Sequence, residues 1–308
     1  MRIVLVGANG FLGSHIAQAF QANDLEFFAF SRAKPNDDFR RGDPRGCPAL
    51  DLVTAGATGI SDVLEHLQPT VIVNAVGALT GSESELEAAN LISVQNLLEA
   101  AQKTSPNARV IQLGSAAEYG PVDRGSGEPG SSVHEDAICN PIGLYANLKL
   151  KATQLMLDSD LETVTLRIAN PVGPGTPETL LPGAIAQRLR TAILENASEI
   201  RSGPLSDYRS YVDARDIAQA VLVVARAENP PRLINIASPR AVQVREVVSE
   251  LVRISGFRGK LIEETDLASN RSSAVPWQQA DISRALALGW RPRFTLQESL
   301  ADLWRADL

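Results

Sequence analysis

The chain of 308 residues holds two cysteines, three histidines, two methionines and only 5% aromatic residues. Each shortage removes a class of explanation. Cys47 and Cys139 are too few for the disulfide framework of a small secreted protein, so a reducing cytoplasm is the expected compartment. No apolar run approaches the ~18 residues that a membrane span requires. After Met1, the stretch Arg2-Ile-Val-Leu-Val6 is only strand-length and lacks the small-residue cleavage site of a signal peptide. With 29 basic against 36 acidic residues the net charge is -7, whereas nucleic-acid binders usually present a basic face. His134-Glu135-Asp136 holds metal-ligand side chains, but consecutive residues do not converge readily on one ion. No metal is expected there.

What is present is a large apolar fraction, 44%, arranged in alternating short runs and helical patterns. Strands are expected at residues 3–6, 26–30, 71–75, 109–114 and 164–168, with Ser115 just past the fourth. Helices are expected at 13–22, 87–103 and 141–158, and a further helix and strand at 217–227 and 233–237. This alternation predicts an α/β, Rossmann-type doubly wound parallel sheet. After Pro171-Val-Gly-Pro-Gly175 the pattern becomes mixed. The expected division is a dinucleotide-binding domain at 1–170 with a return at 209–238. A smaller, discontinuous C-terminal lobe at 171–208 and 239–308 would bind substrate. In doubly wound sheets ligands lie outside the carboxyl ends of the strands, where Gly7, Ser31, residues 74–77, Ser115 and Asn170 all fall.

Gly7-Ala-Asn9-Gly10-Phe11-Leu12-Gly13 joins the first strand to the first helix. Its glycines permit a tight turn and let backbone approach a pyrophosphate at the helix N-terminus. The spacing is G-x-x-G-x-x-G, since Asn9 stands at the second glycine of the dehydrogenase fingerprint. NAD binders carry an acid roughly 20 residues on, at the end of the second strand. Here that strand ends in Ser31-Arg32, a hydroxyl and a guanidinium suited to a 2′-phosphate, so NADP(H) is preferred over NAD(H). Arg32 as a solvated loop residue is the alternative. Asp51 and Leu52, ending a third strand, would meet the adenine. Ala75, Val76, Gly77 and Ile168 complete the expected cofactor contacts along the same edge.

Tyr145 and Lys149 are four residues apart, which places them on one helix face. Taken with Ser115 and the glycine turn, the chain resembles the extended short-chain dehydrogenases, the family of nucleotide-sugar epimerases, dehydratases and reductases. The resemblance runs through Gly114-Ser115-Ala-Ala-Glu-Tyr119-Gly120, Tyr145 with Lys149 and Arg167-Ile-Ala-Asn170-Pro-Val-Gly173-Pro174. It continues in Arg209-Ser-Tyr-Val-Asp-Ala-Arg-Asp216-Ile-Ala and Leu288-Gly-Trp290-Arg-Pro292. Departures are Val6, where Thr often stands, and Ser210, where Asp usually follows the Arg. The resemblance implies that Tyr145 is the general acid, that Lys149 tunes it and bonds the nicotinamide ribose, and that Ser115 holds the substrate oxygen. It also implies a homodimer through the helices bearing Asn90 and Tyr145. Arg209 and Arg271 are candidate pyrophosphate clamps, and Ala116 and Asn170 candidate substrate contacts. Ion pairs with Asp207 and Asp281, and a turn before Pro171 for Asn170, are the structural alternatives.

The reaction is narrowed by absences. Sugar dehydratases of the family place acids where Ala116 and Ala117 stand, and strand-like alternation would turn Glu118 the other way. The two-step epimerase-reductases use a Cys and a later His, and no His follows Tyr145. What remains is simple hydride transfer or the oxidise-and-return chemistry of a 4-epimerase. Ser31-Arg32 and the Arg209 motif look most like dTDP- or GDP-4-keto-6-deoxyhexose reductases, and that resemblance implies NADPH-dependent reduction of a nucleotide-linked 4-keto-6-deoxysugar. Alternatives are a 4-epimerase with tightly held NAD, a reductase of a non-sugar ketone, and a silent nucleotide-binding protein.

Overall fold

The computed structural model describes residues 1–32, 49–121, 132–264 and 275–306. Arg271 and Cys47 therefore lie outside the described residues. Strands β1 (Arg2–Val6), β2 (Glu26–Phe30), β3 (Val71–Asn74), β4 (Arg109–Ser115), β5 (Thr163–Ile168) and β10 (Leu233–Ile236) form one sheet in the order β10-β5-β4-β3-β1-β2. Every pairing in it is parallel. Four of its strands, β3, β5, β10 and nearly all of β4, are buried along their length. Only β3, Val-Ile-Val-Asn, reads as a near-continuous apolar run; β4, β5 and β10 also bury polar side chains, among them Gln112, Thr165, Arg167 and Asn235.

Helices α1 (Phe11–Ala22) and α7 (Ala214–Arg226) cover one face, packing Ile16, Phe20, Ile217 and Val221 onto it. The other face is covered by α2 (Gly56–Leu67), α4 (Ser93–Thr104) and α5 (Leu144–Asp158), through Ile60, Leu64, Leu97 and Met156. The chain reverses its direction of travel across the sheet between β1 and β3, so the crevice at the end of these two strands faces the N-terminus of α1.

Two boundaries differ from expectation for local reasons. Of the expected third strand, the described residues show one parallel bridge, Ser31 to Ala49, and beyond it the Asp51 carboxylate accepts the Val53 N–H and starts the turn into α2. Helix α5 begins at Leu144 and not at 141, since Gly143 has φ +82 and breaks the helical path just before it. Upstream, the helix expected at 87–103 is extended by α3 (Glu83–Glu87), which runs through a π turn at Ala88–Ile92 into α4. Such turns are frequent at functional sites.

The later chain builds small sheets. Strands β6 (Pro171–Val172) and β9 (Val212–Asp213) pair, as do β7 (Glu199–Ser202) and β12 (Lys260–Glu263). Strands β8 (Tyr208–Ser210), β11 (Ala241–Gln243) and β13 (Trp277–Gln278) make a third. Residues 208–213 thus join the small sheets, and the return to the main sheet starts at α7. A separate apolar cluster joins α6 (Leu181–Leu194), α8 (Val244–Ser255) and α10 (Leu296–Ala306) through Ile185, Leu189, Val247, Leu251 and Leu300. We propose that this cluster is the core of the substrate lobe. The Asp216 carboxylate accepts the backbone N–H groups of Arg293 and Phe294, while Trp290 Nε1 donates to the Asp216 carbonyl. The chain after α9 (Ser283–Ala287) is thereby tied to α7.

Candidate active site

The glycine turn is dictated by backbone proximity. A Cβ on Gly13 would lie 2.0 Å from the Gly7 carbonyl oxygen, and one on Gly7, whose φ is +84, 2.9 Å from the Ala75 carbonyl carbon and the Val76 nitrogen. Gly7 and Gly13 therefore weld β1, α1 and the end of β3 together. A Cβ on Gly10 would meet only the Gly7 oxygen, at 3.2 Å, and otherwise enter open space. Gly10 caps α1 with no side-chain hydrogen bond, and the first turn carries no acidic residue. The leading N–H groups of Phe11, Leu12 and Gly13 thus form an uncapped, electropositive end of a twelve-residue helix, which fits a dinucleotide diphosphate.

At the end of β2, Ser31 is buried and its hydroxyl accepts a bond of 2.9 Å from the Asn9 amide, tying strand two to the glycine turn. Arg32 next to it is exposed and contributes to lowering the Glu85 carboxyl, although the main cause of that lowering is the backbone and hydroxyl of Ser82. Asp51 uses Oδ1 to cap its own turn, and Asn96 donates to the Leu52 carbonyl, so both residues have structural duties at this edge.

Sheet register places Ser115 directly beside Ile168. A helix that follows a parallel strand runs back antiparallel to it, so the first turn of α5, with Tyr145, lies at the carboxyl edge where β4 ends. Lys149, one turn further, is buried and donates from Nζ to the Leu113 carbonyl at 2.5 Å. Burial pushes its pKa down to about 8, against an opposing pull from Glu118. Gly77 packs against this helix: a Cβ there would stand 3.2 Å from Asn90 Oδ1 and 3.8 Å from Lys149 Nζ. Asn90, inside the π turn, donates to the Ala78 and Leu86 carbonyls and accepts from the Ala78 N–H, fixing the loop after β3 above Lys149. Serine, tyrosine, lysine, the glycine turn and the 75–78 loop are therefore brought to one edge of one sheet.

Glu118 departs from expectation. It lies in a single 3-10 turn, Ala116–Tyr119, and not on a strand, so strand alternation does not apply. Its carboxylate is fully buried, accepts the Ser115 N–H at 2.8 Å and meets Arg167 Nε at 2.8 Å. The signal was legible as Ser115-x-x-Glu118, a capping-box pattern. Burial raises the Glu118 carboxyl, and the Arg167 cation opposes that rise. Tyr119, whose ring lies under Arg167 at 4.5 Å, donates its hydroxyl to Asn235 and is pushed up to about 12 by burial.

Among the substrate candidates, Ala116 is buried beside Ser115. Asn170 spends its amide nitrogen on the Ser210 carbonyl and Gln278 Oε1, a brace between β5 and the small sheet of β8. Arg209 is nine-tenths buried, pairs with Asp207 at 3.0 Å and donates to the Tyr208 carbonyl, so the ion pair foreseen as its alternative exists, inside the protein. Near His134 it is Asp281, and not Asp136, that gathers with Glu135. Glu135 already accepts the Asn235 N–H and faces Arg284, and Asp136 pairs with Arg284.

A family model described as the NAD dependent epimerase/dehydratase family matches residues 3–237, most of the chain. The chain belongs to this family. It is an NAD(P)-dependent enzyme of the oxidoreductase type. Among curated relatives, dTDP-6-deoxy-L-talose 4-dehydrogenase (NAD(P)(+)) of Kitasatospora kifunensis is 29% identical over 99% of this chain and 95% of its own length. Two solved structures share the fold. One is the UDP-glucose 4-epimerase of Thermus thermophilus in complex with NAD, with TM-score 0.80 and 21% identity over 99% of this chain and 98% of that one. The other is RMD from Pseudomonas aeruginosa complexed with NADPH, with TM-score 0.79 and 21% identity, again over 99% and 98%. One backbone form thus accompanies either nicotinamide dinucleotide. Among the described residues no helix is long and apolar enough to cross a membrane.

Proposed function

We propose that this family member reduces the 4-keto group of a nucleotide-linked 4-keto-6-deoxyhexose, with NADPH preferred and NADH usable. One observation carries the reading: a buried lysine with a depressed pKa shares a helix face with Tyr145, against the strand that ends at Ser115 and beside an uncapped glycine turn. The family provides the nicotinamide chemistry, and the Kitasatospora relative is named for oxidation at the same sugar carbon with either cofactor.

A bound nicotinamide supplies a hydride for the carbonyl carbon, or accepts one in the reverse direction. The residues of this chain manage the oxygen. Ser115 accepts the Ala117 N–H on Oγ, which leaves its own hydroxyl proton directed away from that bond and toward a substrate oxygen. Tyr145 gives the phenolic proton to the same oxygen as the C=O bond becomes C–OH. An unperturbed phenol titrates near ~10, and an adjacent ammonium favours its ionised form, which eases that transfer near neutral pH. The Lys149 ammonium is that charge, present below pH 8 or so. Arg32 favours a 2′-phosphate at the open end of β2. Arg209, held in place by Asp207, is the diphosphate partner on the substrate side.

A 4-epimerase would use the same serine, tyrosine and lysine, and this second reading is favoured by the fold shared with the Thermus enzyme. The two separate in one experiment. Nucleotide-linked 4-keto-6-deoxyhexoses and the matching 4-alcohols are offered while nicotinamide absorbance is followed. A reductase consumes NADPH in proportion to ketone; an epimerase interconverts alcohols with no net absorbance change. Replacing Tyr145 with Phe should lower kcat by at least about a hundredfold while the cofactor still binds. Full activity in that variant would remove Tyr145 as the acid.

A further inference from the structure

We infer that Glu118 is a positioning residue of the reaction: through its carboxylate it holds Ser115 in its donating pose and places a fixed negative charge behind Lys149. The inference rests on the catalytic reading of Ser115 and Lys149.

The geometry is that of a built pocket. Oε1 of Glu118 accepts the Ser115 N–H at 2.8 Å while Ser115 Oγ accepts the Ala117 N–H at 3.2 Å, so the two ends of the 3-10 turn lock each other. Gly114 makes the space: a Cβ there would lie 2.9 Å from Glu118 Oε1 and 2.7 Å from the Thr165 methyl. The second carboxylate oxygen takes Arg167 Nε at 2.8 Å, and both partners are almost wholly withdrawn from solvent. Arg167 is held in turn by the Glu135 carbonyl and by the Tyr119 ring, and Glu135 by the Asn235 N–H. This chain of bonds runs from the main sheet to the end of β4 and fixes the Ser115 backbone, while the Ala117 N–H orients its hydroxyl oxygen.

Charged and titratable groups face this carboxylate from the elements packed around it. Arg167 comes from β5, Lys149 and the Thr153 hydroxyl from α5 and Cys139 from the 137–143 loop, while Tyr119 and Glu135 act on Arg167 behind it. Among the described residues, Glu118 is what opposes desolvation at Lys149. If Glu118 becomes neutral, Lys149 loses a nearby anion and gains the unbalanced Arg167 cation, and both effects favour its neutral form. An exclusively structural cap would leave the titration of the site where it was.

The test is the variant Glu118→Gln, in which the amide oxygen can still accept the Ser115 N–H but the charge is gone. Expected are a fall in kcat on the order of tenfold, an unchanged KM for NADPH, and a basic limb of the kcat pH profile displaced to lower pH. On a Ser115→Ala background the kcat penalty should shrink, because residues acting as one unit are non-additive. If Glu118→Gln does not fold, the pair Glu118→Gln with Arg167→Met removes the ion pair without stranding a buried cation and carries the same readouts. A kcat and pH profile equal to the parent enzyme would overturn the inference, as would full additivity with Ser115→Ala. Retained activity in Ser115→Ala alone would instead strike the catalytic reading beneath it.

Discussion

Lys149→Met separates what the active site needs from what the fold would choose. The ammonium is buried, and burial lowers its pKa from 10.5 to about 8, so holding it charged costs on the order of 3 kcal/mol at neutral pH. Methionine has nearly the same length and no charge. Its cost is the hydrogen bond to the Leu113 carbonyl, which still accepts the Gln112 amide at 3.1 Å; the pull of Glu118 is already contained in the net shift. Setting about 1–2 kcal/mol against this loss leaves the variant more stable at pH 7 by roughly 1–2 kcal/mol. That is a rise in Tm of a few degrees for a chain of this size. The sign follows from the depressed folded-state pKa. Between about pH 8 and 10.5 the unfolded lysine keeps a proton that the folded one has lost, so the parent gains stability as pH rises and the difference closes. The assay is thermal unfolding of both proteins, free of cofactor, from pH 6.5 to 10.5. A variant less stable at every pH, or a difference independent of pH, would refute the desolvation argument. Catalysis by the variant should be lost throughout.

Gly13→Ala would push a methyl group against the Gly7 carbonyl at 2.0 Å, so cofactor affinity should fall at least about tenfold by isothermal titration, with a lower Tm; unchanged binding would refute the tight turn as the cofactor's seat. Arg32→Ser should weaken NADPH about tenfold while sparing NADH, read as the ratio of the two kcat/KM values. Arg209→Lys keeps the charge near Asp207 but cannot pair bidentately, so it should raise the KM for the sugar nucleotide severalfold with the KM for NADPH unmoved.

Much of the fold was readable where one rule dominated. Strand β2 falls where expected, and β1, β3, β4, β5 and β10 within a residue or two, because short apolar-rich runs alternating with helical patterns mark the strands of a buried parallel sheet. Legibility failed where a single residue overrides a pattern. Gly143 cuts off the front of α5, Asp51 turns the chain into α2, and the π turn at Asn90 leaves no mark in helical periodicity. Glu118 was misread for the opposite reason: periodicity was extended past the end of β4, although Ser115-x-x-Glu118 already announced a cap.

Residue types and their order were enough to specify a glycine turn, a serine, and a tyrosine with a lysine one helical turn along, because each of these is a local relation along the chain. Only tertiary structure decided what surrounds them. It sank Lys149 among β4, α5 and the loop after β3, and so depressed its pKa. It turned Glu118 inward onto Arg167, forty-nine residues away, and buried the Arg209 pair with Asp207 that would otherwise have been a surface contact. Burial and the pairing of distant charges depend on which strands lie side by side, and that information exists only once the sheet has closed.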